Sequence, residues 1–462
     1  MTLIKSISGI RGTIGGEVGD NLTPLDIVKF ASAYGAWVLK RSKSKNAKVV
    51  IGRDARISGE MLNQLVCNTL IGMGIDVVDL GLSTTPTVEM AVVWIKSQGG
   101  IILTASHNPK QWNALKLLNE KGEFISGKDG EDILKLAEGK SLNFATVENL
   151  GTYSREKDAI DLHIETILDL PLVDVNLIRQ RGFKVVVDSV NSTGGIAVPK
   201  LLQALGVEEV TSMYGEPTGD FPHNPEPLPE NLVELSSKVK SEKADIGIAV
   251  DPDVDRLAFV CEDGEMFGEE YTLVAVADYV LSNKKGNTVS NLSSTKALKE
   301  ITEKHGGTYK ASAVGEVNVV EAMKATNAII GGEGNGGIIY PELHYGRDAL
   351  VGIALFLTQL AKHGKSCSSL RATYPNYIIS KNKAELEPST DVDLILEKIT
   401  EKYKKEEIDT TDGVKIIFED DWVHLRKSNT EPIIRIYAES SSKNTANSLA
   451  KKIIQDIGKF LN

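Results

Sequence analysis

The chain has 462 residues, of which 41% are hydrophobic and 25% are charged, and its formal net charge is -11 at pH 7. This is the composition of a globular protein with room for three or four domains of about 100–150 residues each. The acidic balance argues against a general nucleic-acid-binding surface.

Three further features of the sequence predict a cytoplasmic protein. The N-terminus, MTLIKSISGIRGTIGGEVGD, is too polar and glycine-rich for a signal peptide. No window approaches the roughly 18 uninterrupted apolar residues of a membrane span. Cys67, Cys261 and Cys367 lie far apart. They predict neither a disulfide framework nor a metal site, and we expect them to be small buried residues.

Strand-like apolar runs alternate along the chain with amphipathic, helix-like stretches. In chain order the runs are AKVVIGRD, GIDVVDLG, GGIILTAS, FKVVVDSV, VEEVTSMYG, ADIGIAVD and AIIGGEGNGG. SGEMLNQLVCNTLIGMG and PENLVELSSKVKSEK are typical of the helices between them. The apolar segment that follows TASHNP is also compatible with a helix. The alternation predicts α/β architecture with largely parallel sheets.

A repeat is visible within this alternation. VVIGRDARISGEML, VVVDSVNSTGGIAVPKLLQALG and NTVSNLSSTKALKEITEKHG each combine a strand, a polar loop and a helix. They predict three similar α/β units. The C-terminal segments TDVDLILEKITEKYKK, DGVKIIFEDDWVHLRKS, PIIRIYAES and TANSLAKKIIQDIGKFL instead predict helix, strand, strand and helix, which indicates a small α+β domain with an antiparallel sheet.

Ser106 follows the apolar run GGIIL, where a strand is expected to end and where parallel α/β sheets bind ligands. It lacks the Gly-x-Ser-x-Gly elbow of hydrolases. Three interpretations stay open: a helix N-cap, a member of a Ser/His/Asp triad, and a phosphorylated serine beside a divalent cation. Lys116, ten residues further on, is a candidate for orienting phosphate or transferring a proton.

Asp251, Asp253 and Asp255 follow the strand-like run ADIGIAV at alternate positions. In an extended segment such side chains point to the same side, where three carboxylates require a compensating cation such as Mg²⁺ or Ca²⁺. An EF-hand loop fails, because its sixth position would be Arg256 instead of glycine. An aspartyl-phosphate phosphatase with Asp251 as its nucleophile stays open.

Two other loops favour ligand binding. GGEGNGG lets backbone approach a ligand closely, with Glu333 and Asn335 available for hydrogen bonds. RKSNTEPIIRIYAES combines two arginines with hydroxyl groups around a turn, as in a phosphate clamp.

In this order, TASHNP, DPDVDR, GEGNGG and RKSNTEPIIRIY resemble the four signature loops of the α-D-phosphohexomutases, and SGIRG is similar to the opening motif of that superfamily. The resemblance covers essentially the whole chain. It implies an α/β fold with four domains around a central cleft, three similar mixed α/β domains and a C-terminal α+β domain. We place the domains at residues 1–152 with the phosphoserine loop, 153–256 with the metal loop, 257–368 with the sugar-binding loop and 369–462 with the phosphate-binding loop.

The resemblance also implies a role for each motif. Ser106 would be a phosphoserine, and Asp251, Asp253 and Asp255 would hold Mg²⁺ together with an oxygen of the Ser106 phosphate. Arg256 would lie beside this metal loop. The transfer site would be lined by Arg11, His107 and Lys116, with Lys116 and Arg11 as candidates for proton movement or charge stabilisation. Sugar hydroxyls would bind Glu333 and Asn335. The phosphate that is not transferred would bind Arg426, Ser428, Asn429, Thr430 and Arg435.

The implied reaction interconverts a hexose 6-phosphate and a hexose 1-phosphate through a bisphosphorylated sugar, which also serves as activator. We predict glucosamine phosphate as the substrate, with mannose or glucose phosphate as alternatives. A sugar phosphatase and a non-catalytic sugar-phosphate-binding protein are further alternatives. The expected partner is a phosphosugar, with no nucleic acid and no membrane. Two positions depart from the family pattern: Asn335 replaces the usual serine of the sugar loop, and Val317 stands where many members have lysine or arginine.

Overall fold

A computed structural model describes residues 2–6, 9–42, 47–139, 142–387, 390–428 and 432–461. The chain forms two compact units. Unit 1 comprises Met1–Thr272 and Asn335–Leu370, and unit 2 comprises Leu273–Gly334 and Arg371–Asn462. No helix within the described ranges is long and apolar enough to cross a membrane.

The first sheet lies in unit 1 and has the strand order β1-β2-β6-β5-β3-β4-β7. Its strands are β1 (Ile4–Ser6), β2 (Gly9–Thr13), β3 (Lys48–Arg53), β4 (Asp76–Leu82), β5 (Gly99–Leu103), β6 (Trp112–Leu118) and β7 (Tyr153–Arg155). The helices of this region are α1 (Pro24–Arg41), α2 (Gly59–Gly72), α3 (Thr85–Trp94) and α4 (Gly127–Glu138), and a 3₁₀ turn covers Val147–Asn149. Strand β3 pairs parallel with both β4 and β5.

The segment after TASHNP is a strand, so the expectation of a helix there is wrong. Strand β6 pairs antiparallel with β5 on one side and with β2 on the other. Pairing on both sides satisfies the backbone hydrogen bonds of residues 112–118, and this tertiary arrangement overrides local helix preference. Ser106 therefore lies in a connection between two strands and is not a helix N-cap.

The second sheet, also in unit 1, has the order β11-β10-β8-β9. It consists of β8 (Lys184–Asp188), β9 (Glu209–Met213), β10 (Ile246–Val250) and β11 (Leu257–Cys261). The accompanying helices are α5 (Ala159–Leu168), α6 (Val175–Arg181), α7 (Gly194–Ala204) and α8 (Val233–Glu242), with a 3₁₀ turn at Pro229–Asn231. The chain passes from unit 1 to unit 2 within α9 (Glu269–Asn283).

Unit 2 begins with a third set of parallel strands. Its elements are β12 (Asn287–Asn291), α10 (Ala297–Lys304), β13 (Tyr309–Ser312), α11 (Glu316–Thr326) and β14 (Ala328–Glu333). Strand β12 pairs parallel with β13 and β14. The chain then returns to unit 1 for β15 (Gly337–Ile339) and α12 (Ala349–His363), and α13 (Cys367–Arg371) ends at the next boundary.

Helix α12 is apolar and almost wholly buried, from Ala349 to Ala361. The side chain of Asp348 caps its first turn by accepting hydrogen bonds from the backbone N–H groups of Leu350 and Val351, at 2.8 and 3.3 Å. Gly364, with φ of 70°, ends the helix in the left-handed conformation that glycine adopts most readily. The segment before α12 is therefore fixed to a rigid buried element.

The C-terminal sheet lies in unit 2 and is antiparallel, with the order β16-β20-β19-β18-β17. Its strands are β16 (Ile378–Glu385), β17 (Glu407–Asp409), β18 (Val414–Ile417), β19 (Trp422–Lys427) and β20 (Ile433–Ser440). Helices α14 (Val392–Lys402) and α15 (Lys443–Leu461) contribute to a core with the inner face of the sheet. The predicted α+β domain is confirmed, but DGVKIIFEDDWVHLRKS forms two antiparallel strands, β18 and β19, where one was predicted, and β16 and β17 were not predicted.

The predicted repeat is also confirmed. Each repeat starts with a strand that pairs parallel with the two following strands: β3 with β4 and β5, β8 with β9 and β10, and β12 with β13 and β14. The motifs TASHNP, DPDVDR and GEGNGG each follow or overlap the end of the third strand of a repeat. The three loops therefore occupy equivalent positions in the topology, at the carboxyl ends where α/β sheets bind ligands.

Candidate active site

Asp251, Asp253 and Asp255 are fully buried just beyond β10. The three offer ligand atoms that lie within 4.8 Å of one another. They converge through a turn, not along an extended strand as the alternate spacing suggested. Within this turn Val254 has a φ of 63°, which is unusual for a β-branched residue and marks a backbone held by its surroundings. We refer to these three residues as the aspartate triad.

Asp251 has both carboxylate oxygens occupied. Its Oδ1 accepts hydrogen bonds from the backbone N–H groups of Asp255 and Arg256, both at 3.1 Å, so the turn closes around this side chain. Its Oδ2 accepts a hydrogen bond from the Ser106 hydroxyl at 2.7 Å. Burial, followed by the charges of Asp255 and Asp253, raises the pKa of Asp251 well above its usual value.

Asp253 and Asp255 are each tied through one oxygen only. Asp253 Oδ2 lies 2.7 Å from Lys116 Nζ and also accepts from the Thr85 hydroxyl. Asp255 Oδ2 lies 2.7 Å from an Arg347 Nη2 and 3.4 Å from Lys116 Nζ. The Oδ1 atoms of both aspartates are buried without a hydrogen-bond partner.

Those two orphaned oxygens fit a divalent cation. A buried carboxylate oxygen without a partner costs free energy, and a hard cation with oxygen ligands would remove that cost. The Oδ2 atoms of Asp253 and Asp255 are anchored, which leaves their Oδ1 atoms available for a metal such as Mg²⁺.

The charges around the triad shift the pKa values of Asp255 and Lys116. Burial raises the pKa of Asp255, but Arg347, Lys116 and Arg256 outweigh it and hold this pKa below its usual value. For Lys116, burial lowers the pKa, and Asp253 and Asp255 together raise it above its usual value.

Ser106 lies in the connection between β5 and β6 with a φ of 48°, in the left-handed region. Its backbone N–H donates to the Thr104 hydroxyl at 2.9 Å, which fixes the turn. The side chain is almost buried, and its hydroxyl faces the aspartate triad. The predicted neighbourhood of Ser106 and the three aspartates is therefore present in the structure.

Arg56 holds the Ser106 loop, a role that the sequence did not reveal. Its guanidinium is fully buried and donates to the backbone carbonyls of Ser106, Asn108, Pro109 and Trp112. Its Nε lies 3.0 Å from Asp54 Oδ2, which also accepts from the Thr104 hydroxyl at 2.6 Å. One planar group thus fixes four carbonyls of a single loop.

The remaining residues predicted near the transfer site and the metal loop are Arg11, Arg256 and His107. Arg11 donates to Asn108 Oδ1 at 3.3 Å, and Arg256 donates to Glu226 at 2.9 Å. Burial and the charge of Arg256 lower the pKa of Arg11. Burial, together with nearby arginines, also lowers the pKa of His107 well below its usual value, so this imidazole is neutral near pH 7.

The sugar-loop residues divide between the two units. In unit 1, Asn335 Oδ1 accepts from the Gly337 N–H at 3.2 Å. Gly336 has a φ of 83°, and a Cβ there would lie 2.1 Å from the carbonyl oxygen of Leu257. Only glycine therefore lets this loop lie against β11. In unit 2, Glu333 Oε1 accepts from the Asn291 side chain at 2.8 Å and from the Gly315 N–H at 3.2 Å.

The predicted phosphate clamp lies in unit 2. Arg426 and Arg435 are directly opposite each other in the β19–β20 register, an arrangement of like charges that favours a bound anion. Arg426 Nε lies 2.9 Å from Asp412, and Arg435 is exposed. The Ser428 N–H donates to the Ile433 carbonyl at 3.1 Å. Asn429 and Thr430 lie outside the described residues.

Sequence reasoning missed three residues that contact the site: Arg56, Thr85 and Arg347. Arg56 lies two residues after the aspartate of IGRDAR, and Arg347 lies directly before Asp348, the helix cap. Both positions are only weak local signals. Neither indicates which distant loop the side chain reaches, so the tertiary structure was needed to find them.

The chain matches sequence models of four domain families in order. These are phosphoglucomutase/phosphomannomutase alpha/beta/alpha domain I at residues 3–143, domain II at 161–264, domain III at 268–377 and the C-terminal domain at 382–455. The boundaries that we placed from the sequence stay a prediction.

Individual relatives match over nearly their whole length. A phosphoglucomutase/phosphomannomutase of Thermococcus kodakarensis is 38% identical over 441 residues, covering 94% of this chain and 95% of the relative. A phosphoglucosamine/phosphogalactosamine mutase of Sulfurisphaera tokodaii is 34% identical over 456 residues, covering 97% and 98%. The crystal structure of a phosphoglucomutase/phosphomannomutase family protein from Burkholderia thailandensis superposes with a TM-score of 0.84 at 27% identity, covering 100% of this chain and 97% of that one.

Fold, site and comparisons together define the class of protein as a phosphohexomutase, an isomerase that acts as an intramolecular phosphotransferase. Within that class, the chain belongs to the phosphoglucomutase/phosphomannomutase family. The resemblance inferred from the four motifs is confirmed, as is the fold class of three α/β domains followed by an α+β domain.

Proposed function

We propose that this protein interconverts glucosamine 6-phosphate and glucosamine 1-phosphate, with Ser106 as the carrier of the phosphoryl group. The observation that carries the proposal is the 2.7 Å hydrogen bond between the Ser106 hydroxyl and Asp251, beside two carboxylates with orphaned oxygens. Similarity to the phosphoglucosamine/phosphogalactosamine mutase of Sulfurisphaera tokodaii supports an amino sugar, and similarity to the phosphoglucomutase/phosphomannomutase of Thermococcus kodakarensis supports glucose or mannose as the alternative.

The proposed reaction has two phosphoryl transfers. In the first, the free hydroxyl oxygen at C1 of a hexose 6-phosphate forms a bond to the phosphorus on Ser106, and the bond from phosphorus to Ser106 Oγ breaks. The proton of the C1 hydroxyl is transferred to Ser106 Oγ. The product is a bisphosphorylated sugar. In the second, Ser106 Oγ takes the phosphoryl group from C6, and the C6 oxygen receives the proton. The net change is isomerisation, and the bisphosphorylated sugar serves as activator.

The aspartate triad would hold Mg²⁺, whose charge offsets the negative charge that develops on the transferring phosphoryl oxygens. Lys116 and Arg11 are the residues proposed for charge stabilisation and proton movement, and His107 and Arg256 line the same site. Glu333 and Asn335 would hydrogen-bond the sugar. The phosphate that stays on the sugar would bind Arg426, Ser428, Asn429, Thr430 and Arg435. A phosphosugar in the cytoplasm, without nucleic acid or membrane, is the proposed partner.

Comparison of three substrates tests the sugar. Glucosamine 6-phosphate, mannose 1-phosphate and glucose 1-phosphate are each assayed with MgCl₂ and a bisphosphorylated hexose, and we expect the highest kcat/KM for glucosamine 6-phosphate. A higher kcat/KM for another sugar phosphate would contradict the proposed substrate but not the proposed type of reaction. Turnover of none of them, or release of inorganic phosphate in place of isomerisation, would contradict the proposed function.

Replacing Arg435 with alanine is expected to weaken binding of the phosphate that is not transferred. Loss of a charge-assisted hydrogen bond is worth about 1.5–3 kcal/mol, so kcat/KM should fall by roughly 10- to 100-fold. Lys427→Ala is the matched control, because Lys427 is an exposed cation of the adjacent strand that pairs with Asp393. Equal effects of the two variants would mean that the clamp attracts the substrate only through general positive charge.

A further inference from the structure

A cluster of two histidines and two carboxylates lies in unit 1, outside the residues that the proposed reaction uses, and all of its members except the partly buried His344 are buried. It consists of Glu89, His163, His344 and Asp348, and we call it the histidine–carboxylate cluster. His344 Nδ1 lies 3.3 Å from Glu89 Oε2, and its Nε2 lies 3.3 Å from Asp348 Oδ2. His163 Nε2 lies 2.9 Å from the same Asp348 oxygen.

The polar atoms of Asp348 and His163 in this cluster are accounted for. Asp348 Oδ1 caps α12, and its Oδ2 is the acceptor for both histidines. His163 Nδ1 pairs with the Thr87 hydroxyl at 2.9 Å. Burial opposes protonation of His344, but Asp348 and Glu89 outweigh it and raise its pKa to about 10. His344 is therefore a cation held between two buried carboxylates at neutral pH.

The cluster joins segments that come from three of the matched domains. Glu89 lies on α3, His163 on α5, and His344 and Asp348 in the connection to α12. Gly346 packs directly on Glu89, because a Cβ at this glycine would lie 1.8 Å from Glu89 Oε2. The connection before α12 is thus pressed against a charged side chain of another domain.

The same segments touch the aspartate triad. Thr85, at the start of α3, contacts Asp253 through both its backbone N–H and its hydroxyl. Arg347, between His344 and Asp348 in the chain, holds Asp255 Oδ2 at 2.7 Å. The N–H of Ala349 donates to the Val254 carbonyl at 3.2 Å. Thr85 shares α3 with Glu89, and Arg347 and Ala349 flank Asp348, so both segments that contact the triad also carry residues of the cluster.

We propose that His344 is a positioning residue that, between Glu89 and Asp348, aims the Arg347 guanidinium at Asp255 and thereby orients the carboxylate for the divalent cation. With Oδ2 held by Arg347, the Oδ1 of Asp255 is buried without a hydrogen-bond partner in a triad whose ligand atoms lie within 4.8 Å of one another. A long arginine side chain has many rotamers, so its direction depends on how firmly its backbone is held. The inference rests on the proposed role of the triad in binding Mg²⁺.

His344→Gln tests the proposal. Loss of a residue that hydrogen-bonds a metal ligand, as Arg347 does, typically costs about 10- to 100-fold in metal affinity or activity. Because His344 acts through Arg347, we expect Mg²⁺ binding, measured by calorimetry with MgCl₂, to weaken by about 10-fold, the lower end of that range. We expect kcat to fall in parallel while KM for the sugar phosphate stays unchanged. His305→Gln is the matched control, because His305 pairs with Asp278 in unit 2 and should leave both quantities unaltered.

A double-mutant cycle shows whether His344 acts through Arg347. If it does, His344→Gln combined with Arg347→Ala should bind Mg²⁺ no more weakly than Arg347→Ala alone. Additive effects, unchanged Mg²⁺ affinity in His344→Gln, or stoichiometric zinc in the purified wild-type protein at the cluster would each overturn the proposal. If His344→Gln does not fold, Glu89→Gln takes its place with the same expectations.

Failure of this inference is distinguishable from failure of the proposed function. A wild-type protein that isomerises no hexose phosphate contradicts the proposed function, whereas Mg²⁺ calorimetry on the wild type and variants still tests the positioning role. A wild-type protein that is active but has the same Mg²⁺ affinity as His344→Gln contradicts only the inference about the cluster.

Discussion

Replacing Ser106 with alanine is expected to abolish isomerisation and to remove the phosphate from the protein. The Ser106 hydroxyl donates to Asp251, and the other two aspartates of the triad, Asp253 and Asp255, each have an orphaned Oδ1. Removal of a nucleophile that carries a covalent intermediate typically costs about 10⁴-fold or more in kcat. Intact-mass measurement should show one phosphate on a fraction of the wild-type protein and none on the variant.

The fold should tolerate the Ser106 change. Alanine keeps the backbone hydrogen bond from residue 106 to Thr104, and the left-handed φ of 48° costs serine and alanine similar amounts. Ser97→Ala is the matched control, because Ser97 is also buried and lies just before β5, where its hydroxyl donates to the Gly99 carbonyl. Phosphate retained on Ser106→Ala, or turnover near that of the control, would place the nucleophile elsewhere and favour Asp251.

Replacing Arg56 with lysine is expected to reduce both stability and turnover. Lysine presents its donors at a single point and cannot reach four carbonyls and Asp54 together. Each buried carbonyl that loses its donor typically costs about 1–3 kcal/mol in the free energy of unfolding. Because the same group shapes the loop that carries Ser106, a displacement of about 1 Å would lower kcat by roughly 100-fold.

Urea unfolding and steady-state kinetics measure the two effects separately. Arg53→Lys is the control, since Arg53 lies in the same segment but pairs with the exposed Glu60 at 2.7 Å. Exposed pairs are worth about 0–1 kcal/mol, so this variant should unfold near the wild-type urea concentration. A folded Arg56→Lys protein with unchanged kcat would show that the loop keeps its geometry without the guanidinium.

Local patterns in the sequence determined the secondary-structure repeat and the residues with chemical function. Hydrophobic periodicity and the polar, turn-forming residues between elements determine the strand, loop and helix of VVIGRDARISGEML and its two counterparts. Both signals extend over only a few residues. The Ser106 loop and the aspartates were found for the same reason: polar side chains directly after buried strands are visible locally.

The tertiary structure alone decided which side chains meet. It made residues 112–118 a strand by giving them partners on both sides, and so it placed Lys116 where it reaches Asp253. It also brought Thr85 and Arg347 to the triad across long sequence separations. Such contacts depend on how distant segments pack, and hydrophobic periodicity does not indicate which residue will pair with a buried charged side chain.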